Sequence, residues 1–373
     1  MRFVFWAAAG IIVYTYLGYA ALLWVRSRWR PRPVKSGPCL PSISIVLVVR
    51  NEATCIERKL KNLMELNYPP DRAEILVASD GSTDGTNHIL SEFAGDSRAR
   101  VILSAESRGK AAGLNDAIKA ASGEIVVFTD ARQRIETDAV RVLLENFADP
   151  EVGCASGELI LGNPDSGEPA RGMGLYWKIE KMIRQMESDS GSVVGATGAL
   201  YAVRRSLLVP IPPETILDDV FIPMRVLRQG FRVVFDPQAR VWDLPDLGTN
   251  KEFARKVRTL TGNYQLLQLE PWILSSTNPI WFSFVSHKLL RLVIPFALCA
   301  ALVASSFLPG PIYRIALVLQ IAFYALSAWA LVRLKHNPLA RIADAAFTFV
   351  LLNTAAVVAF ANFVAGRKAA WVR

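Results

Sequence analysis

Histidine and cysteine are scarce in this chain, and much of metal and nucleophile chemistry goes with them. Of 373 residues, three are histidine (His88, His287, His336) and four are cysteine (Cys39, Cys55, Cys154, Cys299). No two cysteines form a C-x-x-C pair and none has a histidine close by in sequence. A disulfide framework and a zinc site are therefore unsupported, a reducing compartment is the default, and a mechanism built on a histidine base is disfavoured. No strand-like run leads into G-x-G-x-x-G, and G-x-x-x-x-G-K-[ST] is missing, so a dinucleotide enzyme and a P-loop ATPase both lose their main signature. There is also no internal repeat and no low-complexity tract.

Apolar runs, by contrast, are abundant. The chain is 52% hydrophobic and 10% aromatic, as in proteins that are partly membrane-embedded. Residues 3–25 are long enough to span a bilayer. Only Arg2 precedes them, whereas a cleaved secretory signal is positive in front and shorter in its apolar part. A basic, proline-rich tract follows, with Arg26, Arg28, Arg30, Arg32 and Lys35. A retained anchor is expected, with its N-terminus outside and its basic end cytoplasmic. The net charge of +9 then reads as juxtamembrane charge, and no nucleic-acid partner is expected. Three further spans are expected at 289–308 (interrupted by Pro295), 312–332 and 345–365. An interfacial segment is expected at 279–291, and a basic loop at 333–341 on the cytoplasmic side. The expected division is an N-terminal transmembrane helix (1–26), a cytoplasmic domain (40–270), and interfacial plus transmembrane helices (271–373). Such a chain would be a multi-pass protein of the cell (inner) membrane.

Between the apolar ends, strands and helices alternate. Strands are expected at 43–49, 74–78, 100–103, 124–129 and 152–161, with two short ones at 231–235 and 239–242. Helical patterns cover 54–66, 87–93 and 172–188, a glycine-punctuated loop enters an alanine-rich helix within 108–121, and a glycine-bearing loop at 194–204 runs into another strand. This order predicts an α/β fold with a mostly parallel sheet. On the helix at 172–188, Leu175, Ile179, Met182, Ile183 and Met186 form a stripe that reads as core packing. Three strands end in acidic or polar residues: Glu52, Asp80 and Asp130. In open α/β sheets that edge binds ligands, and carboxylates there can hold a nucleoside or a divalent cation on a diphosphate. Asp218 and Asp219, opening a helix, are either capping carboxylates or part of the same site.

Five motifs fall in series: V-V-R-N-E (48–52), D-G-S-T-D-G-T (80–86), R-G-K-A-A-G-L-N (108–115), T-D-A-R (129–132) and L-D-D (217–219). Together, over residues 43 to about 263, they resemble glycosyltransferase family 2, inverting enzymes of GT-A fold that use nucleotide-sugar donors. The flanking spans and S-H-K-L-L-R (286–291) look like the membrane-integrated branch, akin to chitin-, hyaluronan- and cellulose-type synthases.

The resemblance implies roles residue by residue. Arg50, Glu52 and Asp80 would lie on the donor side, with Glu52 and Asp80 on the nucleoside, and Lys110 near the nucleotide. Asp130 matches the first carboxylate of the D-x-D motif, which binds the donor diphosphate through Mg²⁺ or Mn²⁺. Asp219 matches the general base. Asp218 and Trp177 would lie on the acceptor or diphosphate side, as would Arg255, Lys256 and Arg258 where processive synthases carry Q-x-x-R-W. The partners implied are a nucleotide-sugar (UDP by the family's habit), a lipid-linked or glycan acceptor, the bilayer and polysaccharide-assembly proteins. Two departures stand out. Arg132 replaces the second D-x-D carboxylate, so it shares the charge neutralisation or Asp130 holds the cation with diphosphate and waters. Thr259 follows Arg258 where tryptophan is usual, which removes a stacking surface for an acceptor sugar and sets single-sugar transfer beside processive synthesis. A polyprenyl-phosphate sugar synthase and a non-catalytic GT-A-like scaffold remain as alternatives.

Overall fold

The computed structural model describes every residue except 165–166, 170–174, 245–248, 333–337 and 368–373, and it leaves out the side chains of 168–169, 175–177, 249–251, 332 and 338–339. It divides into two compact units. One comprises Met1–Leu22, Asp246–Gln268 and Phe282–Arg373; the other comprises Leu23–Pro245 and Leu269–Trp281.

The second unit holds a nine-stranded sheet. Its strands are β1 (Ile43–Val49), β2 (Ala73–Asp80), β3 (Ala99–Ser104), β4 (Ile125–Phe128), β5 (Arg134–Ile135), β6 (Val152–Asn163), β7 (Glu168–Pro169), β8 (Tyr201–Arg204) and β9 (Arg232–Asp243). Their order is β3-β2-β1-β4-β8-β6-β9-β5, with β7 on β6. The first four run parallel, and β1 and β4 are buried along their whole length. Continuous Ile/Val runs are what a strand covered on both faces requires. β8 then enters antiparallel to β4, pairing Tyr201 with Phe128. The start of β8 therefore lies at the edge where β4 ends.

Two sequence expectations are revised. The strands expected at 231–235 and 239–242 are one strand, β9, parallel to β6 with register shifts between Val152 and Cys154 and between Ser156 and Glu158. A bulge accommodates the Asp236-Pro237-Gln238 break without ending the pairing. The stripe on the helix Leu175–Asp189 is narrower than expected, since Ile183 and Met186 are buried but Met182 is 48% exposed. The basic tract after the first apolar run makes bonds within its own unit. Arg26 donates to the Ser190 carbonyl, Arg32 pairs with Glu151, and Arg232 donates to the Arg32 carbonyl.

Among the described residues, four helices are long and apolar enough to cross a membrane: Arg2–Trp29, Trp281–Phe307, Pro311–Leu331 and Ala340–Val364. Pro295 lies inside a helix that continues through it. In the first unit, Ala8 packs with Ala297 and Ala301, small residues that let two apolar helices approach closely. Five-residue π-turns, Tyr14–Gly18 and Val285–Leu289, are joined by a 2.8 Å hydrogen bond between the Tyr14 and Ser286 hydroxyls. The expected basic loop at 333–341 lies largely outside the described residues.

Candidate active site

Asp80 ends β2 and is almost fully buried. Its carboxylate accepts from the Ser107 hydroxyl (2.8 Å), the Arg108 amide (2.7 Å) and the Gly109 amide (2.9 Å). These bonds fasten the R-G-K loop to the strand end. The next residue, Gly81, has φ +61°, and a Cβ there would lie 2.4 Å from the Ser107 amide nitrogen. Only glycine fits both the left-handed backbone and that approach. The second aspartate of the D-G-S-T-D-G-T turn holds structure: Asp84 accepts from the Thr86 amide and hydroxyl and from the Ala53 amide. These bonds place its pKa below the ordinary aspartate value despite the opposing effect of burial.

The fastened loop delivers Lys110 as the first residue of the helix Lys110–Ala120. Gly113 lets this helix lie close on β1, since a Cβ there would sit 2.7 Å from Val48 Cγ1. Asn115 exchanges two hydrogen bonds with the Ile211 backbone, so the asparagine of the motif anchors the 208–213 segment. The Lys110 ammonium lies 3.0 Å from Asp130 Oδ1 and 3.1 Å from Asp218 Oδ1. Burial by itself would lower the Lys110 pKa, but Asp130, Asp218 and Asp219 outweigh it and hold the amine well above its ordinary value.

Asp218 and Asp219 begin the helix Asp218–Arg228, which has no side-chain cap hydrogen bond. Asp218 serves Lys110 instead. Asp219 is half-buried; its Oδ2 accepts from the Gly198 amide at 3.2 Å. A Cβ on Gly198 would meet Asp130 Oδ2 and Asp219 Oδ2, each at 3.4 Å. The two carboxylates thus flank one glycine.

Arg50 directly follows β1, with its Nε buried and without a hydrogen-bond partner among the described residues, a donor suited to a ligand. Glu52 lies 3.8 Å from Arg132 Nε, so Arg132 faces the carboxylate that follows β1. Arg255, Lys256 and Arg258 lie on the helix Thr249–Leu269, in the first unit. Trp177 is in the helix Leu175–Asp189, and its side chain lies outside those described.

Two site residues escaped the sequence reading. Lys59 is 2% exposed and donates to Thr129 Oγ1 at 2.8 Å and the Gln133 carbonyl at 2.9 Å, tethering both sides of Asp130. Burial pulls its pKa down to about 7, against the opposing charges of Asp130, Cys55 and Asp243. The signal was a charged residue at an apolar-stripe position, with Ile56, Leu60 and Leu63 on the same buried face. Tyr201 stacks on Phe128 (4.7 Å, 17°), and its buried hydroxyl has no partner among the described residues. Burial, then Asp218 and Asp219, push its pKa well above the ordinary value. No local pattern announces Tyr201.

Carboxylates and a lysine gather at the C-terminal edge of the parallel strands, the edge where open α/β sheets bind ligands. Residues 44–209 match the model for glycosyl transferase family 2. Poly-β-1,6-N-acetyl-D-glucosamine synthase of Staphylococcus aureus is 27% identical over 237 residues, 61% of this chain and 56% of its own. The Staphylococcus epidermidis synthase is 26% identical over 242 residues, 64% of this chain and 58% of its own. The chain thus matches little more than half the length of these relatives. Among solved structures, the mannosyltransferase PcManGT from Pyrobaculum calidifontis, in complex with GDP-mannose and Mn²⁺, aligns with 97% of this chain and 99% of its own. The TM-score is 0.73 at 24% identity, a likeness of fold, and the fold is GT-A.

Proposed function

We propose that the chain is a membrane-bound inverting glycosyltransferase. It moves a sugar from a nucleotide-sugar, a UDP-sugar first, to a hydroxyl of a lipid, a lipid-linked glycan or a growing polysaccharide. The reaction takes place on the cytoplasmic face of the inner membrane. The observation that carries this reading is the meeting of Asp130, Asp218 and Asp219 around Lys110, with Gly198 between the donor-side and base-side carboxylates.

In this reading Asp219 takes the proton of the acceptor hydroxyl while that oxygen bonds to the anomeric carbon from the face opposite the diphosphate. The bond from that carbon to the diphosphate oxygen breaks, and a nucleoside diphosphate leaves. Lys110 meets the charge that develops on it. Arg50 and Glu52 take the donor from the β1 end, and Arg132 orients Glu52. Asp80 holds the loop that presents Lys110.

A divalent cation fits the donor side. Among the described residues no group of three or more histidine, cysteine, aspartate or glutamate side chains could hold a metal. Mg²⁺, however, binds through one or two carboxylates together with substrate phosphates. Asp130, 39% exposed in its side chain, is the residue that would hold it. A bound Mg²⁺ or Mn²⁺ would supply Lewis-acid neutralisation of the departing diphosphate.

The test uses the full chain in detergent with UDP-N-acetylglucosamine and GDP-mannose, the sugars being those in the names of the similar proteins. A membrane lipid extract serves as acceptor, and mass spectrometry reads the product. Parent transfer lost in Asp219→Asn with nucleotide binding retained supports a hydroxyl acceptor. Near-normal transfer by Asp219→Asn points to a phosphate acceptor, as in a polyprenyl-phosphate sugar synthase. Absence of nucleotide binding under every condition points to a scaffold.

A further inference from the structure

We infer that Arg184 is a positioning residue for the transfer: it anchors the strut, residues 195–199, that sets the Asp219 carboxylate against the donor-side Asp130. This rests on the reading of Asp219 as the base.

Every residue of the strut is pinned. The Gly195 carbonyl accepts from Arg184 at 3.3 Å. The Ala196 amide donates to the Asp219 carbonyl at 2.8 Å. The Thr197 amide donates to Ser156 Oγ at 3.0 Å, and the Gly198 amide to Asp219 Oδ2 at 3.2 Å. The Ala199 carbonyl accepts from Thr129 Oγ1 at 2.8 Å. Two of these bonds grip Asp219 and one grips the residue before Asp130. The strut thus carries a fixed spacing between the two carboxylates.

Two of the five strut residues are glycine, with little stiffness of their own, and a Cβ on Gly198 would touch both carboxylates. The rigidity has to come from outside. Arg184 Nη2 reaches Ser156 Oγ at 2.9 Å as well as Gly195, so one cation serves both anchors at the 195–197 end. Its guanidinium is fixed in turn over the Phe235 ring at 4.6 Å. Phe235 and Tyr201 are the β9 and β8 register partners of Ser156, which places this anchor within the sheet. Burial lowers the Arg184 pKa, opposed by Glu180, Glu187, Asp219 and Glu158, and an arginine remains charged under such a shift. Charged donors make the stronger hydrogen bonds.

Removing Arg184 frees one end of the strut and lets the Asp219 carboxylate drift. A misplacement of about 1 Å costs on the order of 100-fold in rate. The donor side is built on the ends of β1, β2 and β4 and on the helix Lys110–Ala120, so nucleotide affinity should not follow. The assay above gives kcat and KM for Arg184→Met, Arg184→Lys and Ser156→Ala, with UDP or GDP affinity in Mn²⁺ measured calorimetrically. Arg184→Met should lose kcat roughly 30- to 100-fold with nucleotide Kd within about threefold. Arg184→Lys should recover part of the loss. Ser156→Ala should lose about tenfold and carries the test should Arg184→Met not fold. Folded variants that keep parental kcat, or lose nucleotide affinity in step with kcat, overturn the inference and leave the base assignment standing. A parent without transfer overturns both.

Discussion

Lys110 and Asp130 form an ion pair at 3.0 Å, and the same ammonium holds Asp218 at 3.1 Å. Replacing Lys110 by methionine leaves carboxylates crowded together with their shared cation gone. Asp218 is the buried carboxylate of this cluster, and leaving a buried charge without its partner costs about 3 kcal/mol or more. Lys110→Met should therefore lower the melting temperature and weaken nucleotide binding at least about tenfold, since each 1.4 kcal/mol is one decade. Parental affinity in a folded Lys110→Met protein would place the donor elsewhere.

Metal dependence should run through Asp130. EDTA should weaken UDP or GDP binding to the parent, and Mn²⁺ should restore it. Asp130→Ala should bind the nucleotide weakly with or without Mn²⁺. Metal-enhanced binding that survives Asp130→Ala, read by calorimetry, would remove Asp130 from the metal shell.

Asp80→Asn exchanges one acceptor oxygen for an NH₂ group that must face a hydroxyl or an amide. Loss of a buried acceptor costs about 1–3 kcal/mol. The variant should melt lower, bind nucleotide more weakly, and make residues 106–109 more open to hydrogen exchange. Gly81→Ala should do the same, because its Cβ strikes the Ser107 backbone. Unchanged exchange at 106–109 alongside weakened binding would mean that Asp80 acts on the nucleoside directly.

Lys59 makes stability depend on pH above neutrality. Its pKa falls to about 7 in the fold, below that of an unfolded lysine, so between the two values the unfolded chain binds more protons. Stability contributed by the group is then full above the unfolded pKa and is lost as pH falls toward about 7. The slope is up to about 1.4 kcal/mol per pH unit. Parent melting temperature should rise between about pH 7.5 and 9.5 relative to Lys59→Met. Parallel curves for the two proteins would mean that Lys59 stays charged in the fold.

The parallel half of the fold was legible because β1, β2 and β4 are buried apolar runs that give way to polar and charged residues. Arg50, Glu52, Asp80 and Asp130 could be placed at one edge on that ground. β5, two residues long, and the continuity of β9 were not legible. The first carries no periodicity, and the second depends on a bulge that only its partner strand supports.

Local chemistry in the chain determined which residue types stand at strand ends and helix starts, which helices are apolar enough to cross a membrane, and where Lys110 enters its helix. Tertiary structure alone decided what those groups face. Asp80 turned to the R-G-K loop, and Asp218 to Lys110 instead of a helix cap. Lys59 and Arg184 became buried anchors, and Gly198 became the gap between two carboxylates. The reason is one of range: periodicity and capping act over a few residues, whereas these contacts join residues from about 20 positions apart, as in Lys110–Asp130, to more than 100, as in Lys110–Asp218, where only the packed sheet brings them together.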